Sequence, residues 1–151
     1  MSHSQFMTEA LIQAKKAENH GDVPVGAVIV FNGEIIAKGQ NRREEKENSL
    51  AHAEIEAINE ACRVLGSKYL TGCSLYVTLE PCPMCSGAII NSRIDKVIFG
   101  AYDEKAGCFG TLADFNNLAF NHKPEIIGGY MEEECRKVLT DFFGKIRQEK
   151  T

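Results

Sequence analysis

Fifteen residues, Tyr76 to Ile90, limit what this chain can become more than any other stretch. Leu75 to Leu79 is apolar and β-branched, the pattern of a short buried strand. Pro81 ends that strand because it has no N–H for a sheet ladder. Pro83 then suits the first turn of a helix, where a missing N–H costs nothing. The segment therefore reads as strand, tight turn and helix, with Cys82 and Cys85 in the first helical turn. Residues three apart lie on one helical face, so both sulfurs can reach a common point. The positive end of the helix dipole favours their thiolates. Such a pair serves metal binding or redox chemistry.

A Cys-x-x-Cys pair alone leaves redox, structural-zinc and catalytic-zinc roles open. A zinc ion needs at least three protein ligands, and Ala51-His52-Ala53-Glu54 offers the next one, with 27 residues between Glu54 and Cys82. Three ligands, His52, Cys82 and Cys85, would leave the fourth position open to water, as catalytic rather than structural sites do. His52 and Glu54 are two apart, nearly opposite in projection around a helix. They converge best beyond the helix's N-terminal end, which puts the expected metal between two helix starts, one at His52 and one at Cys82. A solvated helix start with an acid near the dipole is the plain alternative for His52 and Glu54.

Length and composition suit one domain over residues 1–151, with 44% hydrophobic and 25% charged residues. No apolar run approaches the ~20 residues of a membrane span, and the first residues lack the regions of a signal peptide. A cytoplasmic location is expected, and there two of the six cysteines are better read as metal ligands than as a disulfide. Cys62, Cys73, Cys108 and Cys135 are scattered without paired spacing. The net charge of −4 gives no overall pull toward nucleic acid, so any RNA contact needs a local basic edge.

Around this centre the chain reads as strands alternating with helices. Phe6 to His20 carries a helical stripe ending at Gly21, and Val23 to Phe31 reads as a buried strand. Asn32-Gly33 is a two-residue hairpin signal leading into Glu34 to Gly39. Arg42 to Asn48 is a charged loop. Ser49 is placed to cap a helix from Leu50 to Leu65, stopped by Gly66, with Ile55, Ile58, Cys62 and Leu65 on one face. Lys96 to Gly100 and Glu125 to Ile127 read as strands, Asp103 to Thr111 as a loop, and Glu132 to Arg147 as a closing helix. The expected fold is a three-layer α/β/α sandwich around a mixed five-stranded sheet, with an antiparallel hairpin entering it.

These motifs resemble a known family. His-x-Glu followed by Pro-Cys-x-x-Cys is the signature of the cytidine-deaminase-like zinc deaminases. Val23-Pro24-Val25-Gly26-Ala27-Val28, Ala51 to Glu54 and Thr78 to Ala88 are similar to the bacterial tRNA-specific adenosine deaminases. So are Ser92-Arg93-Ile94, Gly100-Ala101, Asp103, Lys105, Gly107, Asn121-His122, Glu134-Cys135 and Asp141-Phe142-Phe143. The similarity runs from about residue 6 to 147. Two stretches depart from the family pattern: Asn48-Ser49-Leu50 before the zinc histidine, and Cys108-Phe109 in a loop usually filled by smaller residues, where they would alter the packing of an anticodon loop.

The resemblance implies a zinc-dependent hydrolase that converts adenosine to inosine at the wobble position of tRNA, with tRNA-Arg expected. One Zn²⁺ per chain on His52, Cys82 and Cys85 would lower the pKa of water toward ~7. Glu54 would shuttle the proton. Asn41 and Asn121 would read the base or ribose, and Asp103 and Lys105 would meet the flanking nucleotides. Of Phe142 and Phe143, at least one should be core and the other should wall the pocket against a splayed base. Lys137, Lys145, Arg147 and Lys150 make the last helix basic enough to contact phosphates. The resemblance also implies a homodimer, for which Ile89, Ile90 and Ile94 offer apolar surface.

Two other readings use the same residues. A free-base or nucleoside deaminase of guanine or cytosine type would share the zinc set and differ in its pocket and C-terminal residues. A non-enzymatic zinc or thiol-redox protein would have no use for His-x-Glu beside an open coordination position.

Overall fold

Residues 1–149 are described by the computed structural model. Their elements, in order, are α1 (His3–Asn19), β1 (Gly26–Phe31), β2 (Glu34–Gln40), α2 (Ala53–Leu65), β3 (Cys73–Leu79), α3 (Pro83–Asn91), β4 (Lys96–Ala101), β5 (Glu125–Ile127) and α4 (Glu132–Glu149). Lys150 lies outside the described residues. The strands stand in the order β2-β1-β3-β4-β5. Asn32-Gly33 turns β1 into an antiparallel β2, both turn residues with positive φ as this hairpin type requires. β1 also runs antiparallel to β3, whereas β3, β4 and β5 are mutually parallel. The expected mixed five-stranded sheet is the one observed.

Period-two alternation divides the strand side chains between two cores. Ala27, Ile29, Leu75, Val77, Val97 and Phe99 point to the side covered by α2 and α3. Val28, Val30, Tyr76 and Ile98 point to the side covered by α1 and α4. The result is the expected sandwich of helix, sheet and helix layers. On α2 the buried residues are Ala53, Glu54, Ala57, Ile58 and Ala61, so small side chains face the sheet and Ile55, Cys62 and Leu65 are only partly buried. This lets β2 come close: a Cβ at Gly39 would lie 2.1 Å from the Ala53 carbonyl oxygen. Only glycine fits there, and its absent side chain brings the start of α2 against the sheet.

Two expectations need correction. Ser49 does not cap α2. Asn48 accepts the Leu50 N–H at 2.9 Å, the Ala51 carbonyl accepts from Arg42 at 2.9 Å, and this tethered stretch makes a turn at Ser49 and Leu50, closed by the Ala51 N–H on the Asn48 carbonyl at 3.1 Å, before His52 takes the N-cap position. Asp103 to Thr111 is a loop as expected, and β4 reaches β5 through it and one 3₁₀ turn at Phe115–Asn117. Ile89 and Ile94 are fully buried in the α2/α3 core and cannot offer surface to a second copy; of the three isoleucines only Ile90 is partly exposed. The alternating pattern of α3 and the turn after it cannot tell a sheet-facing residue from one facing a partner.

Among the described residues no helix is long and apolar enough to cross a membrane.

Candidate active site

The site is assembled from two helix starts whose capping residues keep their side chains free. His52 is the N-cap of α2 and Cys82 the N-cap of α3, and neither spends its side chain on capping. Asn41, at the end of β2, does that work for α2: its Oδ1 accepts the Ala53 N–H at 2.9 Å, and its Nδ2 donates to the Val23 carbonyl at 3.1 Å. Asp22, almost fully buried, accepts the Glu44 N–H at 2.8 Å and so pins the charged loop that leads into His52. Pro83 follows Cys82 as the first helical residue, placing Cys85 one turn on.

His52, Cys82 and Cys85 converge, with their ligand atoms all within 4.8 Å of one another. His52 Nδ1 is 3.6 Å from the Cys82 sulfur and 3.5 Å from the Cys85 sulfur. A tetrahedral zinc with bonds of about 2.05 Å to nitrogen and 2.3 Å to sulfur holds such ligands about 3.6 Å apart. The donor set therefore fits zinc in both chemistry and spacing. Without metal, Cys82 is lowered to about 4, chiefly by the hydrogen bond from the Cys85 thiol and also by His52. Cys85 is raised, because it is the donor to that thiolate, because it is buried and because Glu54 is close. The Cys82 thiolate in turn raises His52. A divalent cation would take the place of the shared protons.

Glu54 stands one residue inside α2, 4% exposed, with its carboxyl beside the Cys85 thiol rather than among the three ligands. Burial pushes it up to about 7 from an ordinary 4.5. A carboxyl poised near neutrality can both accept and return a proton.

A groove of about 770 Å³ runs beside the C-terminal end of β3 and is lined by Leu79, Tyr102, Asp103, Lys105, Arg136 and Phe143 among others. Leu79 precedes Cys82 by three residues, and none of His52, Glu54, Cys82 and Cys85 lines the groove. Asp103, Lys105 and Phe143 are thus brought together. Asp103 also folds its own loop, its Oδ1 accepting the N–H groups of Lys105 and Ala106 at 3.0 and 3.2 Å. Phe142 is buried and Phe143 is 43% exposed, their rings meeting edge to face. Arg147 is exposed in the last turn of α4. Lys137 and Lys145 are exposed on the same helix and pair with Asp141 and Glu18. Cys108 and Phe109 face inward, Phe109 into the core, and so shape the loop from beneath rather than present a surface to RNA.

Asn121 is placed elsewhere. It lines a separate cavity of about 310 Å³ with Tyr69, Ile90, Asn91 and Arg93, at the opposite end of α3 from the cysteines. Two residues, one in the groove and one beneath its loop, escaped the sequence reading. Arg136 lines the groove from α4 and pairs with Glu132. Glu80, 2% exposed, sits between strand and cysteine pair and binds the 103–111 loop. Its signal was a carboxylate next to a buried strand, which needs N–H donors from somewhere.

The MafB19-like deaminase family model matches residues 1–147. A tRNA-specific adenosine deaminase of Bacillus subtilis (strain 168) is 53% identical over 146 residues, covering 96% of this chain and 91% of that protein. The chain belongs to the tRNA-specific adenosine deaminase family. Among solved structures, one from a study of A-to-I editing by tRNA:A34 deaminases superposes with a TM-score of 0.88 at 40% identity, covering 91% of this chain and 100% of that one. A guanine deaminase of Bacillus subtilis superposes less well, with a TM-score of 0.65 at 45% identity over 68% of this chain and 66% of that one. For this tRNA-deaminase family member, the likeness to the tRNA:A34 deaminase extends over more of the chain than the likeness to that Bacillus subtilis enzyme; a guanine deaminase from Nitrosomonas europaea, at 24% identity, shares the fold over 93% of this chain with a TM-score of 0.78.

Proposed function

We propose that this chain removes the exocyclic amine of adenosine at the wobble position of tRNA, tRNA-Arg being the expected substrate, and leaves inosine. The observation that carries the reading is the His52–Cys82–Cys85 cluster with a buried, near-neutral Glu54 beside it. The three side chains hold one zinc ion, whose part is to polarise water so that hydroxide is available at neutral pH. Glu54 accepts the proton of the attacking water, passes it to the purine ring nitrogen and then helps the amine leave as ammonia. Each of these moves keeps the proton within reach of one carboxylate, which is why a carboxyl raised by burial suits the work.

The groove beside Leu79 receives the anticodon loop. Lys105 and Arg147 meet phosphates, Asp103 a flanking nucleotide, and Phe143 supplies a ring against a splayed base, while Phe142 supports it from the core. Asn41 uses its remaining amide hydrogen toward the base. Asn121 meets RNA only where a loop reaches the far end of α3. The protein works as a homodimer in the cytoplasm. Support for the dimer comes from Leu112, Leu118 and Phe120, 60%, 47% and 44% exposed, rather than from Ile89 and Ile94.

An anticodon loop is already single-stranded, so extruding its base costs less than opening a duplex. A small chain can therefore act without a separate binding domain. The test compares inosine formation on a synthetic anticodon stem-loop with ammonia release from free adenosine, guanine and cytidine by the zinc-loaded protein. Turnover on the stem-loop, weakening as salt rises, is expected. Efficient turnover of a free base with none on the stem-loop would transfer the chain to the free-base class and leave the zinc chemistry standing.

A further inference from the structure

Between the last residue of β3 and the first zinc ligand lies a carboxylate that touches neither metal ligand nor groove. Glu80 is 2% exposed and accepts four hydrogen bonds, all from one loop. Its Oε1 accepts from the Asp103 N–H at 3.1 Å and the Thr111 hydroxyl at 2.5 Å. Its Oε2 accepts from the N–H groups of Phe109 and Thr111, each at 3.1 Å. The backbone reinforces the tie: the Glu80 N–H donates to Ala101 at 2.9 Å, and the Pro81 carbonyl accepts from Cys108 at 2.9 Å. The loop is built to admit this carboxylate. A Cβ at Gly107 would lie 2.3 Å from the Glu80 carboxyl carbon, so a larger residue there would displace the group.

We propose that Glu80 is a positioning residue that holds the 103–111 loop to the Cys82 segment, so that Asp103 and Lys105 stand at the groove in a set position relative to that segment. The physical argument is one of supply and demand. A buried carboxylate needs donors, and a loop with no regular ladder has N–H groups to satisfy; here each meets the other's need. Hydrogen bonds to an ionised acceptor are the stronger kind, and four on one group add to a loop otherwise held by its own turns, the Cys108–Pro81 backbone bond and the buried Phe109 ring. The ordering is thereby tied to the residue two positions before a zinc ligand. If the loop is competent only part of the time, the apparent affinity for anything bound by it falls by the same fraction.

The test is Glu80→Gln in the zinc-loaded protein. Whichever way the amide turns, its NH₂ faces two of the four donors. Hydrogen exchange of the peptide spanning 103–111 should quicken on the order of ten-fold, with α2 unchanged and about one zinc per chain retained. The stem-loop KM should rise by a similar factor, about ten-fold, with kcat within about three-fold. The exchange result does not depend on the RNA-deaminase reading; the KM result rests on it. Loosened exchange in the variant, with wild-type protein inert on the stem-loop, would uphold the anchor and overturn only that reading. Unchanged exchange over 103–111 would overturn the anchor whatever the kinetics. Loss of zinc with an unchanged KM would also overturn it, by placing the effect on the metal ligands. Thr111→Val, which deletes one donor, should quicken exchange less than Glu80→Gln, and Thr111→Ser should restore it. Equal exchange in Thr111→Val and wild type would again overturn the proposal, even if Glu80→Gln fails to fold.

Discussion

Asn41 Oδ1 accepts the Ala53 N–H at 2.9 Å and so caps α2 from outside the helix, leaving the capping residue's own side chain, the His52 imidazole, for the cysteines. An asparagine that only read substrate would leave stability untouched when replaced. Asn41→Ala should instead destabilise the zinc-free protein by about 1–2 kcal/mol, the usual cost of losing a buried cap. Denaturant titration of zinc-free wild type and variant measures it. Equal midpoints would remove the structural role.

The spacing of His52, Cys82 and Cys85 matches a tetrahedral ion, and no fourth side chain joins them among the described residues. Purified protein should carry about one zinc per chain, and Cys82→Ser or Cys85→Ser should lose most of it. Metal analysis after gel filtration decides this. Full zinc retention in both variants would refute the assignment.

Glu54 lies beside the ligands without being one of them. Glu54→Ala should keep zinc and fold while turnover falls roughly 10²–10⁴-fold, the range for a lost general acid–base group. Single-turnover inosine formation at saturating stem-loop is the measurement. A near-normal rate would show that another group moves the proton.

The raised carboxyl of Glu54 has a consequence for zinc-free stability. Burial favours the neutral acid, so Glu54 costs nothing below its ordinary 4.5 and progressively more as pH rises toward about 7, where the cost levels off. At about 1.4 kcal/mol per unit the cost reaches roughly 3 kcal/mol. Zinc-free Glu54→Gln should therefore gain on zinc-free wild type between pH 4.5 and 7 by that order. Adding zinc should shrink the gap, since the cation favours the carboxylate. A gap that does not vary with pH would mean that Glu54 is not the buried acid described.

What the sequence determined by itself was local. Pro81 and Pro83 set strand, turn and helix, and the three-residue spacing of Cys82 and Cys85 put both sulfurs on one helical face. The two-residue spacing of His52 and Glu54 set an imidazole and a carboxyl on different sides of one helix start. Each depends on backbone geometry within a few residues, which one segment carries wherever it docks. The tertiary structure alone decided the rest. It set Ile89 and Ile94 into the core, took Asn121 to the far end of α3, and gave Asn41 its bond to α2. It also found donors for Glu80 in residues 23 to 31 positions away. These pairings follow from strand order and from the close approach at Gly39 and Gly107. They arise only when elements distant in sequence pack together, because a buried polar group takes the partner that packing places beside it, not the nearest one along the chain.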